Sequence, residues 1–503
     1  MNFNNRLNSL KTLFFTKDEK NFIKNSEKKK FKKNSKNLLF EITNDYYYLA
    51  YYSILFKEEK FKDYNFIGIW TDCIQTQKNS NFLHYVLRRI YQLIFNFLLK
   101  RKWTKLYRAI GLSHTLDLDK NDFFLFASKN KNKFKNKFDV FKIKISKIII
   151  GDLIYDTYLR FRDRPTLKLN DNFFKYLIQK SNRIWSNLEQ INNDYKPKYY
   201  FTGYTSYLQH GLPTRFFINK GINVFSGKNN SQLNKRLSRN DYKHIENYKE
   251  FLINFKKKKN KKKLIKIAKN KVKERFEGKG QIKKHNNYLK IDPFRFDAKL
   301  EEKYKNKLKN IKGVIFFQDF FDSPHDWGEI IFPDFYEWII FTLTIIKKYN
   351  LPIAIKPHPN SYYFSNSTKI LVDRLMKRYN NLVWITPKLN NNFIFKNIDF
   401  GISASGSVLF DLAINNKIAI SCGEHPGKYY NFTNNINNLK QYRKILLNLD
   451  KLKKKKITKI NLYSFYYMYY LNQNNHLKLK NKNEILKLKS NIDTFEKIKK
   501  FND

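Results

Sequence analysis

Only two cysteines, Cys73 and Cys422, occur in 503 residues, and they lie far apart in the chain. That excludes a disulfide framework and any zinc site built from several cysteines, and it suits a reducing cytoplasm. Apolar runs are short: none approaches the roughly 20 residues that a membrane-spanning helix needs. The stretch after Met1 is polar and rich in Asn and Lys, without the apolar segment of a secretory signal. The expected location is therefore cytoplasmic, either free or at the inner face of a membrane. Familiar phosphate signatures are missing too. No Walker-type loop and no Gly-x-Gly-x-x-Gly fingerprint is present, which argues against a P-loop ATPase and a dinucleotide dehydrogenase. There is no Gly-x-Ser-x-Gly elbow and no internal repeat. The nine histidines include no i, i+4 pair beside an acid, so no metal is expected. Asp117-Leu118-Asp119 lacks the glycine and closing glutamate of a calcium loop, and reads as a solvated turn.

Acidic residues are scarce as well. Against 99 Lys and Arg there are 43 Asp and Glu, a formal net charge of +56. Such an excess invites a nucleic-acid reading. Against it, Lys, Asn, Ile, Phe and Tyr are over-used together, as an AT-rich genome produces without selection for charge. The basic residues are mostly scattered Lys, without the Arg enrichment that base and phosphate recognition favours. An anionic substrate or acidic lipid fits the same charge. With 42% apolar residues the chain has the composition of a folded globular protein, long enough for two or three domains.

In chain order, residues 1–38 read as a basic, weakly ordered tail, 39–240 as an α/β domain, 241–306 as a basic helical linker, 307–450 as a second α/β domain, and 451–503 as a Lys-rich helical tail. Within the first domain, Tyr46 to Tyr52 reads as a buried helix, and Asn65 to Trp70, Phe123 to Ala127, Lys198 to Phe201 and Ile222 to Phe225 as strands, while Ile145 to Ile150 leads into the polar cluster that starts at Gly151. Phe82 to Trp103 has helical apolar spacing with Arg88, Arg89, Lys100, Arg101 and Lys102 around it. A helix of this kind either lies on an anionic membrane or packs in a core with solvated basic ends. On a helix, Asp152, Asp156 and Arg160 share one face, as a surface ion ladder or as groups lining a cleft. Gln209-His210-Gly211-Leu212-Pro213-Thr214-Arg215 reads as a strand-to-helix loop, where His210 and Arg215 either grip an anion or serve the turn alone.

The chemistry concentrates in residues 311–429, where apolar strands alternate with amphipathic helices. Successive strands end in Asp322-Ser323-Pro324-His325, Lys356-Pro357-His358-Pro359, Ser403-Ala404-Ser405-Gly406-Ser407 and Cys422-Gly423-Glu424-His425. Ligands of open parallel sheets bind outside the carboxyl ends of the strands, where these loops must lie. Two prolines stiffen the loop that carries His358. The small residues Ser405, Gly406 and Ser407 let backbone N–H groups approach an anion, or simply cap a helix. Asp322 and His325 have the chemistry for hydroxyl binding or proton transfer, while Phe335 and Trp338 are expected to pack the helix that follows.

Lys356-Pro357-His358-Pro359, Ser405-Gly406-Ser407 and, more loosely, Gln209-His210-Gly211 resemble the bacterial capsule and surface-polysaccharide biosynthesis family. Its members are similar to glycosyltransferases of two Rossmann-like domains facing across a cleft (GT-B type), including capsular transferases of CMP-activated 3-deoxy-octulosonic acid. The resemblance implies a transferase of inverting, metal-independent type, with no cofactor and a nucleotide sugar as donor, a CMP-sugar among the candidates. It implies that Lys356, His358 and Pro359 with Ser405, Gly406 and Ser407 hold the donor phosphate. Asp411 would stand where many such enzymes place a ribose-binding Glu. Asp152 or Asp156 would be the catalytic base beside His358, and Arg160, His210, Gly211, Arg215, Asp322 and His325 would line the acceptor side of the cleft. The acceptor would be a glycan or lipid-linked glycan, with peripheral contact to an anionic membrane and no dedicated nucleic acid. A polyol-phosphate transferase, a nucleotide-sugar epimerase and a charge-driven nucleic-acid binder remain the alternatives.

Overall fold

The computed structural model describes residues 12–26, 29–74, 76, 82–119, 134–227, 232–233, 235–245, 248–279, 291–326, 328–359, 366–472, 474–475 and 477. Two parallel sheets organise it. In the first half β1 (Lys36–Ile42), β2 (Tyr64–Trp70), β3 (His114–Asp117), β4 (Tyr199–Thr202) and β5 (Asn223–Ser226) run parallel. β6 (Lys235–Arg236) closes the edge antiparallel to β5, and the order is β3-β2-β1-β4-β5-β6. In the second half β7 (Gly313–Phe316), β8 (Ile353–Lys356), β9 (Phe400–Ser403), β10 (Ile418–Ser421) and β11 (Thr433–Asn435) are all parallel, in the order β8-β7-β9-β10-β11. Counted within each half, these are the 3-2-1-4-5 and 2-1-3-4-5 orders of doubly wound Rossmann-like sheets. The expected α/β class with two Rossmann-like domains is what the chain adopts.

Helices cover the sheets. α1 (Lys17–Lys24) precedes β1, α2 (Tyr46–Phe56) joins β1 to β2, and α3 (Phe82–Ala109) joins β2 to β3. α4 (Gly151–Arg162) and α5 (Asn172–Tyr195) lie between β3 and β4, and α6 (Leu212–Asn219) between β4 and β5. α7 (Phe251–Lys256), α8 (Lys261–Phe276) and α9 (Ala298–Leu308) lead into the second sheet. There α10 (Phe335–Tyr349) joins β7 to β8, and α11 (Asn366–Arg378) and α12 (Asn391–Lys396) join β8 to β9. α13 (Val408–Ile414) joins β9 to β10, and α14 (Leu439–Leu446) and α15 (Lys459–Tyr466) follow β11. Strands covered on both faces read as continuous apolar runs, and β7, β8 and β9 are buried throughout. Helix starts are set by capping carboxylates. Asp334, for example, accepts from the Glu337 N–H at 2.8 Å at the head of α10. On that helix Phe335 and Trp338 are core, and the Trp338 indole donates to Tyr442 at 3.0 Å.

Several expectations are revised. Within the expected tail, α1 is ordered, burying Phe22 and pairing Glu19 with Lys102 at 3.0 Å. β1 begins at Lys36, and its apolar run was not read as a strand because Glu41 and the following aromatic helix blurred its end. Lys144–Ile145 and Ile148–Ile149 pair as a small antiparallel hairpin ahead of α4. The basic arm is docked: Phe251, Phe255, Ala268 and Val272 share a core with Phe410, Leu462 and Phe465. Asp119 is no solvated turn residue, since Lys180 pairs with it at 2.8 Å in a buried position. The expected strand Phe123 to Ala127 lies outside the described residues. The chain returns to the first half near Asn474–Asn475, which pair in parallel with Gln232–Leu233 between β5 and β6 of the first sheet. Among the described residues no helix is long and apolar enough to cross a membrane.

Candidate active-site cleft

In a doubly wound sheet the crevice forms where the strand order reverses. In the first half that point lies between β1 and β4. Glu41, near the end of β1, is fully buried, and its carboxylate accepts from Thr71 Oγ1, Thr202 Oγ1 and the Gly203 N–H, each at 2.9 Å. It also accepts from Nδ1 of His210. Burial alone would raise the Glu41 pKa. The His210 pairing, with the donors from Gly203 and Thr202, outweighs it and holds the carboxyl below its ordinary value. His210 sits on the turn Tyr207–Gly211 ahead of α6, and its imidazole is partly exposed. Among the described residues its Nε2 makes no hydrogen bond. The turn is tight. A Cβ on Gly211 would come within 2.4 Å of Leu153 and 2.5 Å of the Thr205 carbonyl, and Tyr207 is held at φ 61°, a costly conformation for an aromatic residue. Gly211 thus serves the geometry that places His210.

In the second half the order reverses between β7 and β9. Here Gln318 Nε2 donates to Ser403 Oγ at 2.9 Å, and Ser403 Oγ donates to the Phe316 carbonyl at 3.2 Å. Ser405 and Gly406 are half-buried beside them, and Ser407 is exposed. A Cβ on Gly406 would meet Gln318 Nε2 at 2.6 Å, so any larger residue would displace that amide from Ser403. His358 and Pro359 follow β8 on the same edge and are half-buried. Burial, opposed by Asp322 and aided by Lys356, pushes the His358 imidazole down to about 4, so it is neutral.

The two reversal points face each other. The loop after β4 touches the loop after β7: Ser206 donates to Asp326, and the Tyr207 hydroxyl reaches Asp322 at 3.5 Å. Arg160, exposed on the last turn of α4, adds its positive field to Tyr207 and Asp319. Two further bonds tie the halves, and a third fixes the His325 ring within the second. His325 Nδ1 donates to Asp156 Oδ1 at 2.5 Å and its Nε2 donates to the Pro333 carbonyl at 3.1 Å, while the Tyr155 hydroxyl donates to Asp334 at 2.6 Å. With acceptors at both nitrogens, the His325 ring is a full imidazolium. Burial opposes that charge, but Asp156, Asp152 and Asp334 together raise its pKa. Asp326 is pushed up to about 7 by burial and by the neighbouring Asp156.

Six expected roles change on this geometry. Asp152 is locked in a bidentate pair with Arg215 (2.7 and 2.5 Å). Burial is outweighed by that guanidinium, and the carboxyl is held to about 2, so Asp152 is no base. Arg215 is buried by the same pair, also donates to the Ile149 carbonyl at 2.7 Å, and is a structural brace. Asp156 is engaged by His325, which makes both a clasp between the halves rather than catalyst and acceptor ligand. Lys356 is 2% exposed and donates to the Leu389 carbonyl at 2.7 Å and to Asn391 Oδ1. Burial without an anion drops it to about 7, and it faces the α12 side rather than a phosphate. Asp411 is buried in a bidentate pair with Arg275 of α8 (3.0 and 2.9 Å), so it is not available to a ribose. Glu41 was missed altogether; a lone carboxylate in Leu38-Leu39-Phe40-Glu41-Ile42 was the available signal.

No protein-family model matches this chain, and no curated protein matches it. Solved structures similar to it include the KpsC β-Kdo 2,7-transferase of Thermosulfurimonas dismutans, at 12% identity and a TM-score of 0.31 over 57% of this chain and 81% of that one. The UDP-GlcNAc 2-epimerase of Neisseria meningitidis bound to UDP-GlcNAc is 10% identical, with a TM-score of 0.25 over 86% of this chain and 96% of that one. The wall teichoic acid polymerase TagF is 12% identical, with a TM-score of 0.21 over 99% and 98%. Superpositions this loose carry no function across.

Proposed function

We propose that this chain is a glycosyltransferase of surface-polysaccharide assembly, moving a sugar from a nucleotide-activated donor to a hydroxyl of a glycan or lipid-linked acceptor. The observation that carries the proposal is the meeting of two reversal points, one holding the Glu41–His210 pair and the other His358 with the Ser405-Gly406-Ser407 loop. In this reading His210 replaces the aspartates as base. The acceptor hydroxyl gives its proton to Nε2 of His210, and the oxygen attacks the anomeric carbon of the donor. The bond from that carbon to the phosphate oxygen breaks, and its electron pair leaves with the nucleotide. Glu41 keeps the imidazole in the tautomer with hydrogen on Nδ1 and stabilises the imidazolium that forms. The neutral His358 donates one N–H to the departing phosphate, and the serine loop adds donors beside it. A single displacement of this kind inverts the anomeric configuration. The donor assignment draws on the motif resemblance and on the surplus of positive charge.

Thermal stability is measured with CMP-, UDP- and GDP-sugars, followed by product analysis with and without glycan acceptor. One sugar nucleotide should raise the melting temperature, since a ligand of the folded state stabilises it by mass action. Product should then require the acceptor, and His210→Ala should abolish it while the donor still binds. Conversion of the nucleotide sugar without acceptor would make the protein an epimerase, and stabilisation by none of the three would end the reading.

A further inference from the structure

α3 is too long for the sheet it serves. It has 28 residues, about 42 Å at 1.5 Å per residue, against 7 residues in the adjacent β2, roughly 23 Å at 3.3 Å per residue. Its docking level is fixed by Lys100, whose ammonium reaches Asp72 at 3.1 Å and also pairs with Asp117. Those aspartates stand at the carboxyl ends of β2 and β3. A crossover helix runs antiparallel to the strands it joins, so everything before Lys100 projects past the carboxyl edge, the edge that carries Glu41 and His210. The overhang amounts to about 18 residues, roughly 27 Å.

The two parts of α3 are buried differently. From Trp103 onward, Trp103, Leu106, Tyr107, Ala109 and Ile110 belong to the core. On the overhang Leu87, Ile90, Tyr91, Ile94 and Phe97 are instead 45 to 66% exposed. At 3.6 residues per turn they fall within an arc of about 120°. The same face continues through the exposed Arg101, Lys105 and Arg108. No Asp or Glu occurs anywhere in the helix. An apolar strip this size has to be covered or immersed, and one that runs into cations without a single acid is complementary to a negatively charged lipid surface.

We infer that the overhang of α3 lies in the headgroup region of an anionic membrane, apolar side chains immersed and Arg101, Lys105 and Arg108 on the lipid phosphates. Membrane binding needs neither donor nor acceptor. Only its use rests on the transferase reading: the cleft edge with His210 would then face a lipid-linked acceptor at the bilayer surface.

The full chain is sedimented with phosphatidylcholine vesicles with and without about 30% phosphatidylglycerol. Binding is expected only to the anionic vesicles, weakening with salt. Ile94→Asn with Phe97→Asn should cut it about tenfold or more, with an unchanged melting temperature because both side chains are exposed. Arg101→Gln with Lys105→Gln should weaken it less and flatten the salt dependence. As an independent readout, Phe97→Cys carrying an environment-sensitive dye should shift to the blue on anionic vesicles, the native Cys73 and Cys422 being buried. Equal binding by the Ile94/Phe97 variant, no binding by the wild type, or an unshifted dye would overturn the inference. So would a stable dimer that the Ile94/Phe97 substitutions dissolve, since a second copy would then own the face.

Discussion

Two carboxylate–histidine pairs occupy the same cleft, and they are built for different ends. Glu41–His210 belongs to one half. Its carboxylate is saturated by hydroxyl and backbone donors, and its partly exposed imidazole keeps one nitrogen without a hydrogen bond among the described residues. Asp156–His325 spans both halves, and both imidazole nitrogens are occupied. Chemistry needs a nitrogen that can take up a proton; a fastener needs both nitrogens committed. The residue types are the same in each pair, so the assignment turns on the second nitrogen.

That contrast is open to direct attack. The largest effect is expected at His210: alanine there should cost turnover on the order of a thousandfold, with melting temperature and donor affinity little changed. A smaller loss, about tenfold to a hundredfold, is expected for Glu41→Gln, together with a shifted pH–rate profile. An unshifted profile would make Glu41 merely structural. For the fastening pair the readout moves to stability. Asp156→Asn strands a buried imidazolium and should cost about 3 kcal/mol in a denaturation curve. Replacing Asp156 and His325 together by apolar residues should recover most of that loss, and a double variant as unstable as the single one would contradict the ion-pair account.

Acidity separates the pairs further. The His325 pKa is raised in the folded state, so its contribution is fully present below the unfolded value of about 6.5 and fades as pH climbs through the folded one. Asp326, pushed up to about 7, acts with the same sign, because its ionisation disfavours the folded state. His358 and Lys356, held low by burial, act with the opposite sign, so the test is the difference between two profiles: subtracting the melting curve of His325→Gln from that of the wild type should leave a component that falls as pH rises past about 6.5. The smallest effect is expected at Lys356. Methionine there should leave the donor KM unchanged and cost about 1 kcal/mol through the acceptors left at Leu389 and Asn391. A large rise in KM would return Lys356 to the phosphate.

The strands after Gly313 were legible because a parallel strand covered on both faces is written as an unbroken apolar run. The loops that follow them were legible because polar residues there have few structural uses. Distance-dependent facts were not. Asp152, Asp156 and Arg160 do share a helix, as their spacing implied. Nothing local said that Arg215, 63 positions away, would take Asp152, or that His325 would arrive from the other half to take Asp156. Lys356 and Asp411 misled for a related reason: beside a loop that binds, a buried charge with an internal partner looks the same in sequence as one aimed at a ligand. Glu41 was hidden by the opposite prejudice, since a charge inside a strand is readily discounted.

The chain joins its halves twice, once on leaving the first sheet after β6 and once on returning to it near Asn474–Asn475. On the return, Asn474–Asn475 is hydrogen-bonded to Gln232–Leu233 of the first half, and the arm that leaves after β6 is pinned to the second half through Arg275 and Asp411. Arm and second half are therefore one packed unit, joined to the first half by the two crossings and by the His325 clasp. A proteolytic nick in one crossing would leave the other holding, so the two pieces should stay associated after the cut.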